Sequence, residues 1–163
     1  MIALLATSTV STTTGTFCSP SFPRLKRLAM TMPSQFPMQE TARIIPRTVQ
    51  NLTLSGGGAS AWFCRKRLHL ASEIDWPGQV RFISTPSHRD DNRDTLAREI
   101  AMLSPSARVV NVGVDYYAVI SRDIRKHGRI IMEKWSRNLN GRVWINERLE
   151  ACGCDPQSSF LLN

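Results

Sequence analysis

The sequence predicts an α+β fold: a small, mostly antiparallel sheet with two main helices packed on one face, preceded by a disordered N-terminal extension. Three observations carry this prediction. Several short windows alternate apolar and polar residues and are separated by Gly or Pro. Two windows, within 87–103 and 122–139, repeat apolar residues at helical spacing instead. The first forty residues fit neither pattern. The chain has 163 residues, 42% hydrophobic and 21% charged, which suits one domain with a tail. The divisions are an extension over 1–41, a single domain over 42–155 and a flexible C-terminal tail over 156–163.

The extension contains "ATSTVSTTTGTFCSPS", and its first acidic residue is Glu40. Arg24, Lys26 and Arg27 carry its charge. A hydroxyl-rich, basic, acid-poor leader points to organelle import, chloroplast or mitochondrion. The plainer alternative is a disordered tail without an address, in a cytoplasmic or nuclear protein. Such a segment cannot bury enough surface to offset its ordering entropy.

Residues 49–54 alternate as a short strand, and Ser55-Gly56-Gly57-Gly58 follows as a turn. Trp62, Cys64, Leu68 and Leu70 then share one side at period two, with Phe63, Arg65, Arg67 and His69 on the other. A hairpin is expected; a helix over 59–74 is the alternative. "SGGGAS" lacks the Lys-Ser/Thr of a Walker loop and the spacing of a dinucleotide-binding turn.

"QVRFIS" reads as a strand after the Trp76-Pro77-Gly78 turn. "SHRDDNRDTLAREIAML" reads as a helix capped by Ser87 or Asp90, burying Leu96, Ile100 and Leu103 and ending at Ser104-Pro105. "ARVVNVGVDYYAVIS" reads as one long central strand, apolar on both faces, with Gly113 marking a bulge or bend.

At about 100° per residue, Ile124, Gly128, Ile131, Met132, Trp135 and Leu139 cover one arc of "RDIRKHGRIIMEKWSRNLNG". Arg122, Arg125, Lys126, Arg129 and Arg137 cover the opposite arc, interrupted by Glu133. This predicts an amphipathic basic helix. Gly128 would cost it about 1 kcal/mol. Arg142 to Ile145 reads as a short strand, and Asn146 as the cap of a short terminal helix.

The charge is uneven. Net charge is +8, and segments 42–86 and 122–141 each hold six basic and two acidic residues. That distribution suits an anionic partner. The expected phosphate contacts are Arg65, Lys66, Arg67, Arg122, Arg125, Lys126, Arg129 and Arg137. Trp62 and Phe63 are candidates for stacking on bases. RNA is favoured over DNA because no DNA-reading helix pair or finger is visible.

No catalytic or metal motif stands out, and no cofactor is expected. Cys152-Gly153-Cys154 lacks the C-x2-C spacing of zinc sites, and His69, His88 and His127 do not complete one. A thiol nucleophile at Cys152 or Cys154 with His127 as base is conceivable, but two thiols near a helix end explain the same residues. Asp90, Asp91 and Asp94 fit the first turn of a helix better than a metal cluster. Asn51-Leu52-Thr53 matches the glycosylation pattern. The chain therefore reads as a non-enzymatic, basic nucleic-acid-binding accessory protein. The alternative is a small structural subunit of a larger protein or ribonucleoprotein assembly.

Overall fold

The computed structural model describes residues 25–31, 45–56, 79–86, 92–123, 129–136 and 142–155. Within them the chain forms β1 (Arg27–Thr31), β2 (Asn51–Ser55), β3 (Phe82–Thr85), α1 (Arg93–Leu103), β4 (Val109–Val112), β5 (Asp115–Asp123), β6 (Arg129–Ser136) and α2 (Arg142–Ala151). The strands build one six-stranded sheet in the order β1-β2-β3-β4-β5-β6. The mixed α and β content is as expected, but the sheet is not mostly antiparallel. β1 to β4 run parallel to one another, and only β4-β5 and β5-β6 are antiparallel.

The physical reason lies in two-sided burial. Parallel strands are covered on both faces. All four residues of β3 and all four of β4 are buried. Ile83 and Val110 point to one side, among Leu52, Leu54, Val112 and Tyr117, where α1 packs with Leu96, Ala97, Ile100 and Ala101. Phe82 and Val109 point to the other, among Tyr116, Ala118 and Trp135, where α2 adds Ile145 and Leu149. The helices thus join different cores on alternate strand residues, instead of sharing one face. α1 links β3 to β4, the kind of crossover that parallel neighbours require.

α1 begins at Asn92, whose side chain accepts from the N–H groups of Asp94 (3.1 Å) and Thr95 (3.2 Å). Ser87 and Asp90, the expected caps, lie outside the described residues. Leu96 and Ile100 are buried, and the helix stops at Ser104, as its periodicity indicates.

The long strand expected over residues 107–121 is a hairpin. Val112 pairs with Asp115, leaving Gly113-Val114 as a two-residue turn with Gly113 at φ 61°. Asn111, fully buried, holds it: its Nδ2 donates to the carbonyls of Asp115 (3.0 Å) and Gly113 (3.3 Å). Its Oδ1 accepts from the Ser84 hydroxyl at 2.8 Å.

The basic amphipathic helix does not form over 129–136, which is β6, and Arg122 lies in β5. Residues 124–128 and 137–141 lie outside the described residues. Pairing with the nine-residue β5 supplies a ladder that a helix would forgo. Ile130 and Met132 pack toward the α1 core and Trp135 toward the α2 core. α2 does not cover Ile131, which stays half exposed, and this hid the alternation. Arg142 to Ile145, expected as a strand, is the start of α2, and Asn146 lies inside it.

Arg27–Thr31 falls within the segment expected to be disordered, yet it pairs along β2. Arg27 also forms an ion pair with Asp155. Asn51 and Thr53 are both 5% exposed inside β2, so the folded chain does not offer the sequon for glycosylation. No helix among the described residues is long and apolar enough to cross a membrane.

Candidate functional site

Polar side chains gather at both ends of the parallel strands. At the carboxyl ends lies a network that satisfies itself. Asp115, nearly buried, receives Arg93 and Lys134 at 3.2 Å each. Lys134 also reaches Asp94 at 3.2 Å, and the Tyr117 hydroxyl donates to Asp94 at 2.8 Å. The bonds from Tyr117 and Lys134 hold the Asp94 carboxyl below its usual range. Burial, reinforced by Asp94, pushes the Tyr117 hydroxyl up to about 12. Partial desolvation of Lys134 is outweighed by its bonds to Asp115, Asp94 and Tyr117, which keep the ammonium protonated. Each charge here has its partner within the fold, so the network braces β5 and β6 against α1.

At the amino ends the situation differs. Gln50, Arg81 and Arg108 each stand one residue before the paired part of a strand. Backbone bonds tie them side by side: Arg81 N–H donates to Gln50 O at 2.7 Å, and Arg108 N–H to Arg81 O at 2.7 Å. These residues, with Gln79, Ser106, Ser121 and Arg122, line an open groove of about 670 Å³. Its wall also includes Val119 and Ile120, and among the described residues none of its lining side chains is acidic. Like charges on neighbouring strands repel. Arg81 donates to the Gly153 carbonyl at 3.3 Å, and Arg108 is exposed.

Arg122 is the one expected contact whose side chain is described in this groove. Its guanidinium donates to the carbonyls of Ala101, Ser104 (3.1 Å) and Ala107 (2.7 Å). It therefore closes the C-terminal end of α1, which has no basic residue in its last turn. Burial, then the neighbouring Arg108 charge, lowers its pKa from the usual guanidinium range. Trp62, Phe63, Arg65, Lys66, Arg67, Arg125, Lys126 and Arg137 lie outside the described residues, and of Arg129 only the backbone is described, in β6.

Sequence reasoning passed over Arg81 and Arg108. Each is a single arginine before an apolar strand, and only their placement on adjacent parallel strands joins them. The one available signal was that both precede a buried β run.

The thiols are not activated. Burial pushes Cys154 up to about 12, and its Sγ lies 3.7 Å from the Arg81 carbonyl. Cys152 is also raised by burial. His127 lies outside the described residues. Among the described residues no group of three His, Cys, Asp or Glu side chains could hold a metal ion.

The fold and groove define a mixed-sheet protein with a basic cleft at the amino ends of its parallel strands. Comparison with protein-family models, curated proteins and solved structures finds no match to this chain.

Proposed function

We propose that the chain is a non-enzymatic, basic nucleic-acid-binding accessory protein that grips the phosphate backbone electrostatically. The observation that carries this reading is the groove: Arg81, Arg108 and Arg122 line it together, with no carboxylate among its described lining residues. An open basic groove suits an extended polyanion better than a small enclosed ligand. Arg81 and Arg108 are the donors facing solvent, while Arg122 contributes positive potential, since its donors serve α1. Arg65, Lys66, Arg67, Arg125, Lys126, Arg129 and Arg137 remain proposed phosphate contacts, and Trp62 and Phe63 proposed stacking residues. RNA is favoured over DNA because the sequence carries no DNA-reading helix pair or finger.

The test is the salt dependence of binding to a labelled RNA. The logarithm of the association constant should fall linearly with the logarithm of salt concentration, and Arg108→Ala should reduce that slope by roughly 0.7–0.9. Affinity that holds over about a tenfold rise in salt would overturn the reading.

A second reading, a small structural subunit of a larger assembly, draws on exposed apolar residues: Val143 at 72% and Met102 at 53%. Solution mass at physiological salt separates the two. We also propose that the leader directs organelle import. Because Arg27–Thr31 pairs with β2, a cleavage compatible with the sheet would fall before Leu25. N-terminal sequencing of the mature protein tests this.

A further inference from the structure

The antiparallel ladder between β5 and β6 shifts register between Val119 and Ser121. Val119 pairs with Met132 and Ser121 with Ile131, so Ile120 is an extra residue, a β-bulge. Bulges re-aim side chains. Alternation from Ala118, which packs in the α2 core, puts Ile120 on the α2 side of the sheet. Ile131, four positions before Trp135 and opposite Ser121, falls on that side too. α2 covers neither: Ile120 is 60% exposed and Ile131 51% exposed. Ile120 also lines the groove that holds Arg81 and Arg108. Glu133, exposed and two residues beyond Ile131, bounds the apolar pair on the far side.

Building on the nucleic-acid reading, we propose that Ile120 and Ile131 form an apolar platform for unstacked bases while Arg81 and Arg108 hold the adjoining phosphates. The ligand class is then single-stranded nucleic acid. Charge decides the orientation: phosphates lie along the arginines, and the carboxylate of Glu133 keeps them from the far side. A paired duplex hides its base faces and offers this platform nothing, whereas a single strand exposes them. The bulge leaves Ile120 without a cross-strand partner on β6.

The experiment measures fluorescence-anisotropy binding of the full chain to a short single-stranded RNA and to the same strand annealed to its complement. Ile120→Ser and Ile131→Ser should each weaken single-strand binding about fivefold and leave duplex binding within about twofold. Ile120→Phe, which enlarges the platform, should tighten single-strand binding. Thermal melts of the variants, at exposed positions, report whether the fold is kept. Equal effects on both ligands, or none on either, overturn the base platform while leaving the electrostatic reading intact. If Arg108→Ala also changes neither ligand's affinity, the nucleic-acid reading falls as well. If the serine variants instead lower the solution mass without RNA, the patch is a protein interface and the proposal is overturned.

Discussion

Arg122 is one basic residue among six in a run, and nothing in the run marks it as different. In the fold its planar guanidinium serves three carbonyls at the end of α1 and the loop after it. Hydrogen bonds from a charged donor to partly buried carbonyls carry more weight than neutral ones. Arg122→Ala should therefore destabilise the protein by about 2 kcal/mol, read from urea denaturation. Arg122→Lys should recover only part of this, because an ammonium does not reproduce the guanidinium's fixed fork. Tyr117 gives a spectroscopic prediction. In a Tyr116→Phe background, which leaves one tyrosine, the phenol should ionise near pH 12, seen by ultraviolet absorbance. Asp94→Asn should move that midpoint down, since Asp94 helps hold the proton. A raised folded pKa favours the protonated phenol. This contribution is present below the ordinary tyrosine pKa near 10 and is lost as pH rises toward about 12. Asp94 acts oppositely: its lowered pKa adds stability above the ordinary carboxylate range, lost as pH falls through the folded value.

At the scale of elements, local signals succeeded where one rule decided the outcome. α1 has a buried stripe and a Ser-Pro stop, and both were readable; its Asn92 cap was not, since Ser87 or Asp90 was expected there. β3 and β4 were readable as apolar runs. The 122–139 window failed because two descriptions fit it. Ile124, Ile131, Trp135 and Leu139 share a helical arc, while Ile130 and Met132 share a strand face with a lysine. A bulge and a partly uncovered edge strand blurred the alternation further. Gly128, costly inside a helix, was the one local sign against it. The β4–β5 turn is another element with a testable requirement. Gly113 sits at φ 61°, where a Cβ is strained, so Gly113→Ala should cost about 1–2 kcal/mol. Gly113→Asn should recover much of that, since asparagine tolerates this conformation, and urea midpoints compare the two.

For the whole molecule the consequential finding is parallel pairing from β1 to β4. It makes β1 a part of the sheet, with Leu28 and Met30 packed against the α1-side core. Removing residues 1–31 would bare the edge of β2, whose Leu52 and Leu54 are fully buried. We expect such a truncation to destabilise the fold by several kcal/mol, roughly the cost of losing those contacts, and to promote self-association through the open edge. Denaturation and light scattering measure both. Parallel order also sets Gln50, Arg81 and Arg108 in one row, so the candidate site is a product of the topology. Its predicted signature is the reduced salt slope of Arg108→Ala.

The sequence by itself determined the mixed α and β content, the buried stripe and stop of α1, the buried runs of β3 and β4, and the excess of positive charge. These depend on stop residues, periodicity and composition, which act over a few residues. Only the tertiary structure decided strand direction, the face each helix covers, the strand identity of β6, and which arginines stand together. Those depend on pairings between residues dozens of positions apart. There, two-sided burial of β3 and β4 and the ladder between β5 and β6 outweighed local helical preference.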